Sequence, residues 1–269
     1  QPNLPAPLQS VPAEQFQLWR NGKEVPIYTS VSSGPLPSSG YIEFWGERND
    51  GKPDKNLYKN PADQLSDKLS LETDTASYFL TVNAGVNLRL VDAPNNVNGN
   101  ILPAEQSFTY HYRYDFQTMI NRGRAVYFGT NVYSSTYDAG EWWSSRDIPP
   151  DSSLSVDAGN LYAANSGSGQ LNISVAGNSA VLGSRTVNVD INGANVINYS
   201  GLAGMSAAVL TTNVASSQIG SADTKFTVSM INGNPEGEND RIVVGFIDLS
   251  YPRQFNFGGA SQFAFSMPA

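Results

Sequence analysis

The loop Asn49-Asp50-Gly51-Lys52-Pro53-Asp54-Lys55-Asn56 sets oxygen-bearing side chains at near-alternate positions around a glycine. Short loops present carboxylate and amide oxygens to a hard cation in this way. Asn49, Asp50, Asp54 and Asn56 are therefore the candidate ligands of a calcium ion, the one cofactor that the sequence suggests. No Glu stands at the twelfth position of a helix-loop-helix calcium motif, and an Asx-rich turn accounts for the same residues. Glu236-Gly237-Glu238-Asn239-Asp240 is a second stretch of this type.

Nucleophilic chemistry finds little support. The chain has no Cys and a single histidine, His111, which excludes thiolate nucleophiles, disulfides, thiolate metal sites and any site built on two imidazoles. Gly204-Met205-Ser206-Ala207-Ala208 approaches the Gly-x-Ser-x-Gly elbow without matching it, and a small-residue turn between strands explains it better. His111, flanked by Tyr110 and Tyr112, reads as a packed strand residue. No two carboxylates stand out as an acid and base pair. Trp142 and Trp143, with Tyr137 just upstream, have two readings: a ledge on which sugar rings stack, or aromatic packing at a domain junction. These three are the candidate ligand-binding residues.

The elements that would carry these groups are strands. Phe16 to Trp19 and Val25 to Tyr28 flank Asn21-Gly22, a dipeptide that accepts positive φ and closes hairpins. Tyr41 to Gly46 and Ser77 to Val82 are further strands, and Pro61 to Lys68 reads as a short helix, with Pro at its first turn and Leu65 and Leu69 four residues apart. In Phe108-Thr109-Tyr110-His111-Tyr112-Arg113-Tyr114 the aromatics alternate, so a single strand face carries all four. Pro149-Pro150 interrupts any strand and is the expected boundary between an N-terminal β-rich domain, 1–150, and a C-terminal domain, 151–269. Beyond it, Leu171 to Val175, Thr186 to Ile191 before Asn192-Gly193, and Phe226 to Met230 before Asn232-Gly233 alternate with period two. Arg241 to Ser250 is apolar on both faces, as a central strand is, and Phe263 to Phe265 is a candidate closing strand. The expected fold is all-β, its second domain a jelly-roll-like β-sandwich.

Composition narrows the partners. With 16 Lys plus Arg against 24 Asp plus Glu the net charge is -8, which opposes binding to a phosphate backbone. No apolar run approaches the roughly 18 residues of a membrane span. The Pro-rich opening Gln1-Pro2-Asn3-Leu4-Pro5-Ala6-Pro7 reads as the start of a mature secreted chain.

Three phrases resemble a known family. They are Phe16-Gln17-Leu18-Trp19-Arg20-Asn21-Gly22-Lys23-Glu24-Val25-Pro26-Ile27, then Tyr41-Ile42-Glu43-Phe44-Trp45-Gly46 with Asn49-Asp50-Gly51, Asp54 and Leu57-Tyr58, and then Asp74 to Val82. They are similar to the region ahead of the peptidase domain in gingipain-type cysteine peptidases of Bacteroidetes, including the sortase of the type IX secretion system. The likeness continues through Gly140-Glu141-Trp142-Trp143 to Ile247-Asp248-Leu249-Ser250-Tyr251-Pro252-Arg253. It implies a non-catalytic accessory or scaffold region of a secreted or cell-surface protein, with a downstream peptidase domain or secretion components as partners. No catalytic residue carries over, because the family's nucleophile is a cysteine. The alternative is a glycan-binding or adhesion module of the cell surface, which the Trp and Tyr content also permits.

Overall fold

The computed structural model describes residues 4–66, 68–92, 105–123, 125–127, 130–132, 136–179, 183–220, 222–231, 240–261, 263, 265 and 266. The chain divides into two compact units, Gln1–Pro53 with Lys68–Leu102, and Asp54–Asp67 with Pro103–Ala269.

In the first unit, β1 (Phe16–Arg20) and β2 (Lys23–Val25) form the expected hairpin. Asn21 and Gly22 take φ of 48° and 73°, the doubly left-handed turn whose twist suits a two-residue connection. A second short ladder pairs β3 (Ile27–Thr29) with β4 (Ile42–Phe44), and β5 (Phe79–Val82) joins β1 on its other side. Ala13, Phe16, Leu18, Ile27 and Leu36 form the buried centre of this unit.

The second unit is a β-sandwich. Strands β6 (Phe108–Asp115), β12 (Ser168–Gly177), β15 (Ala207–Ala215) and β17 (Ile242–Arg253) form one sheet in the order β15-β12-β17-β6. The opposing sheet runs β11-β16-β13-β14, from β11 (Ser153–Asn160), β13 (Ser184–Ile191), β14 (Ala194–Ala203) and β16 (Asp223–Ile231). Every pairing is antiparallel. Inward residues alternate as the period requires: Val187, Val189 and Ile191 face Leu171, Ile173 and Val175 across one core with Phe226, Val228, Ile247 and Leu249. Of the aromatics on β6, Tyr110 and Tyr112 pack against this core, and Tyr112 stacks on Phe226 with ring centroids 5.8 Å apart. Shorter ladders pair β7 (Met119–Asn121) with β10 (Trp142–Ser144), and β8 (Ala125–Tyr127) with β9 (Thr130–Val132). A single helical turn, α1 (Ser216–Ile219), follows β15.

The division of the chain differs from the expected break at Pro149-Pro150. β6 is hydrogen-bonded to β17 from Phe108↔Arg253 to Asp115↔Phe246, so residues from about 103 onward belong with the sandwich. The segment Asp54–Asp67 belongs there too. It covers the outer face of β17, where a Cβ added to Gly245 would lie 3.6 Å from Leu65 Cβ. On the same face Val243 and Phe246 are buried, as Ile242 and Val244 are on the other, and the Arg113 guanidinium lies 3.6 Å from the centre of the Phe246 ring.

The helix expected over Pro61 to Lys68 is only a 3-10 turn, Pro61–Asp63. Asn60 caps it by accepting from the Ala62 amide, and the chain is already extended at Gln64. Leu65 and Leu69 are buried without helical periodicity. The Asn232-Gly233 hairpin and residues 236–239 lie outside the described residues, as does Ala264 of the expected closing strand, while Ser266 bridges to Thr109.

Candidate functional site

The four candidate calcium ligands fall on both sides of the division at Pro53 and Asp54. Asn49 Oδ1 accepts from the Gly51 amide at 3.2 Å, and Asn49 Nδ2 donates to the Thr73 carbonyl at 2.9 Å. Asp50 Oδ1 accepts from the Lys52 amide at 3.2 Å, and its Oδ2 lies 2.6 Å from Lys52 Nζ. Burial opposes ionisation of Asp50, but the hydrogen bonds and charge of Lys52 outweigh it and hold the carboxyl below its ordinary value. Asx turns thus employ the oxygens that the spacing offers to a cation. Asp54 is buried in the 3-10 turn Lys52–Leu57 and Asn56 is exposed. Among the described residues, no three His, Cys, Asp or Glu side chains converge as ligands.

Tyr137 and Trp142 come together in the second unit, with Tyr58 as a third ring that sequence reasoning did not place there. Tyr58 sits 5.3 Å from Tyr137, edge to face, and 5.8 Å from Trp142 between ring centroids. The backbone fixes the group: Lys59 donates to the Tyr137 carbonyl and Tyr137 to that of Leu57, both at 2.9 Å. Tyr58 Oη donates to the Glu141 carbonyl at 2.6 Å. Burial above all, then the Glu141 charge, pushes the Tyr58 phenol far above its ordinary value. Burial likewise raises the Glu141 carboxyl, against the hydrogen bond from the Asp138 amide. Trp142 is 0% exposed and offers no face to a ligand. Trp143, next along β10, points to the other side of the strand, opposite Ile120 and half-buried.

His111 and Ser206 are both exposed but lie at opposite edges of one sheet. His111 is on β6, and Ser206 immediately precedes β15. Three strand spacings separate those edges, roughly 14 Å at about 4.8 Å each, so no proton relay connects the two.

The first unit contains an open groove of about 590 Å³ that the sequence did not disclose. Leu18, Leu36, Ile42 and Leu80 line it with Tyr41, Phe44, Tyr78, Ser38 and Ser39. The Tyr78 wall is held firmly: its hydroxyl accepts from the Glu47 amide at 2.8 Å and donates to the Glu47 carbonyl at 3.2 Å. Arg20 binds Glu47 at 2.6 Å and lies 5.6 Å from the Tyr78 ring centre. Phe44 meets Tyr78 at 4.9 Å with planes inclined 47°. Of the lining rings, Tyr41 is 52% and Phe44 37% exposed. Tyr41 and Phe44 in the aromatic-rich Tyr41 to Gly46 were the available signal; alternation alone assigns this stretch to a half-buried strand, whereas among the described residues β4 pairs only with β3.

No known protein family matches the sequence, and no curated protein matches it. Among solved structures, dimeric latent PorU from Porphyromonas gingivalis is similar over 92% of this chain and 22% of its own, at 10% identity and a TM-score of 0.49. The carbohydrate-binding module CBM36 in complex with calcium and xylotriose matches 38% of this chain and 76% of its own, at 19% identity and TM-score 0.29. A family 35 carbohydrate-binding module from Clostridium thermocellum matches 52% and 96%, at 12% identity and TM-score 0.27. The chain thus spans about a fifth of the length of PorU.

Proposed function

We propose that this chain is a non-catalytic accessory region of a secreted or cell-surface protein, of the gingipain-like, type IX secretion-associated kind. Its sandwich serves as scaffold for a peptidase domain or for secretion components. The observation that supports this reading is the fate of the groups that chemistry would need. The sequence has no cysteine, its one imidazole lies at the far sheet edge from Ser206, and Tyr58, Tyr137 and Trp142 are spent on packing. A purified sample assayed against peptide and glycoside panels should read at background. Turnover that survives repurification and disappears in His111→Ala or Ser206→Ala would overturn the reading.

The second reading is a glycan-binding module, favoured by one observation: the groove of the first unit is rimmed by exposed rings and by serine hydroxyls, with no charged side chain in its lining. Sugars stack their C–H faces on such rings. Titration with xylo-, cello- and laminari-oligosaccharides, followed by calorimetry, tests it. Binding lost in Tyr41→Ala and Phe44→Ala supports this second reading, and absence of binding to every oligosaccharide removes it.

A further inference from the structure

The β3–β4 ladder of the first unit leaves one strand edge open beside the groove. Ile27 donates to the Leu88 carbonyl at 3.4 Å and accepts from the Leu90 amide at 2.9 Å, so its backbone groups face away from β4. Successive residues of a strand turn these groups to opposite sides. Tyr28 therefore faces Glu43, and two residues on Ser30 donates to the Tyr41 carbonyl at 3.0 Å. By the same alternation the amides and carbonyls of Ile42 and Phe44 point away from β3. β4 has no second neighbour among the described residues, and these four groups take no hydrogen-bond partner there.

The side chains of the same two residues line the groove. Leu18 and Leu80, partners in the β1–β5 ladder, line it from the other sheet. A further strand laid along β4, about 4.8 Å away, would set the residues opposite Ile42 and Phe44 on their face, toward Leu18 and Leu80. Among the described residues no charged side chain lines the groove, so those two positions call for apolar side chains. Between them, Glu43 points to the opposite face of β4. It is exposed, and its carboxylate makes no ion pair or hydrogen bond among the described residues.

We propose that β4 receives an extended segment of another protein chain, added antiparallel as a further strand, whose consecutive residues opposite Ile42, Glu43 and Phe44 are apolar, basic and apolar. Open main-chain groups that recur at every second residue, about 6.6 Å apart, match an extended peptide, and strand addition supplies its affinity through main-chain hydrogen bonds. A Lys or Arg opposite Glu43 forms a cross-strand ion pair, and the net charge of -8 attracts a basic segment. A second copy of β4 is a poor occupant, because two-fold pairing of Ile42 with Phe44 would set Glu43 against its own equivalent, a like-charge pair. Such a partner is independent of the scaffold role and takes the place of an oligosaccharide in the groove.

The test is titration of the whole chain with acetyl-Ser-Thr-Val-Lys-Leu-Thr-Ser-amide to about 5 mM, followed by backbone NMR, a range that detects millimolar affinities. Binding should saturate and move the amide signals of Ile42, Glu43 and Phe44. Methylating the Val and Leu nitrogens of the peptide removes two ladder donors while keeping every side chain, and should weaken binding at least about fivefold. Glu43→Lys, an exposed substitution outside the core, should weaken this peptide and favour one with Glu in place of Lys, changing the ratio of the two affinities at least about threefold. Absence of saturable binding, equal binding of the methylated peptide, or an unchanged ratio in Glu43→Lys would overturn the proposal and leave the scaffold role standing. Movement of the same amides by xylohexaose or laminarihexaose in place of the peptide would overturn it in favour of the glycan-binding reading.

Discussion

Replacing Arg185 by Leu removes the cation from a wholly enclosed ion pair. Arg185 on β13 and Asp240 ahead of β17 have side chains 0% exposed, with Nε and Oδ1 2.6 Å apart. Arg185 Nη2 also donates to Ser179 Oγ at 2.8 Å, and Nη1 donates to the Gly204 carbonyl. After the substitution, Asp240 Oδ1 retains the Ser179 hydroxyl at 2.6 Å and the Arg241 amide at 2.9 Å, with no counter-charge. Its Oδ2 has no hydrogen-bond partner among the described residues even in the parent. A buried charge stranded in this way costs about 3–5 kcal/mol. With a urea slope of roughly 1–3 kcal/mol/M, that lowers the midpoint by more than about 1 M. The assay is urea unfolding by tryptophan fluorescence in a Trp19→Phe/Trp45→Phe background, so that Trp142 and Trp143 report the second unit alone. The double variant Arg185→Leu/Asp240→Leu removes both charges and should recover most of the loss, giving a coupling energy of several kcal/mol. A loss below about 1 kcal/mol for Arg185→Leu, or a double variant no better than the sum of the singles, would refute the assigned role of the pair.

Gly51 has φ +75°, and a Cβ there would collide with the Leu69 carbonyl; Gly51→Ala should cost about 2 kcal/mol or more. Gly22→Ala, at φ +73° in open space, should cost only about 1 kcal/mol, and equal losses in thermal melts would contradict this account. Glu141, raised above its ordinary value by burial, favours the folded state when protonated: its contribution is fully present below its unfolded pKa and is lost as pH rises through the folded value. Glu141→Gln should therefore raise the melting temperature at pH 7, with the gain vanishing below about pH 4, and a lowered Tm at pH 7 would reverse the sign. For calcium, any ion at Asp50 must displace Lys52 from its carboxylate, so Lys52→Ala should enlarge the calcium-dependent rise in Tm. An identical response in parent and variant would remove Asp50 from the ligand set.

Hairpins at Asn21-Gly22 and Asn192-Gly193 were legible because the required positive φ, found at all four residues, is a preference of the dipeptide itself. Val187, Val189 and Ile191, and the doubly apolar middle of β17, were legible because the pleat translates consecutive residues directly into faces. β14 and β15 were not, since Thr212 takes the inward position between Leu210 and Val214 on β15 and register shifts against β13 interrupt the period of β14. The same distinction governs the sites. Residue type was enough to exclude thiolate and two-imidazole chemistry, and local spacing was enough to mark the Asn49 to Asn56 loop. It took the closed sandwich to bury Trp142 against Tyr58 and to bring Arg185 to Asp240 across 55 positions. Turn and strand preferences act between neighbours along the chain, whereas burial, counter-charges and unmet hydrogen bonds depend on what lies across the core, which no stretch of sequence contains.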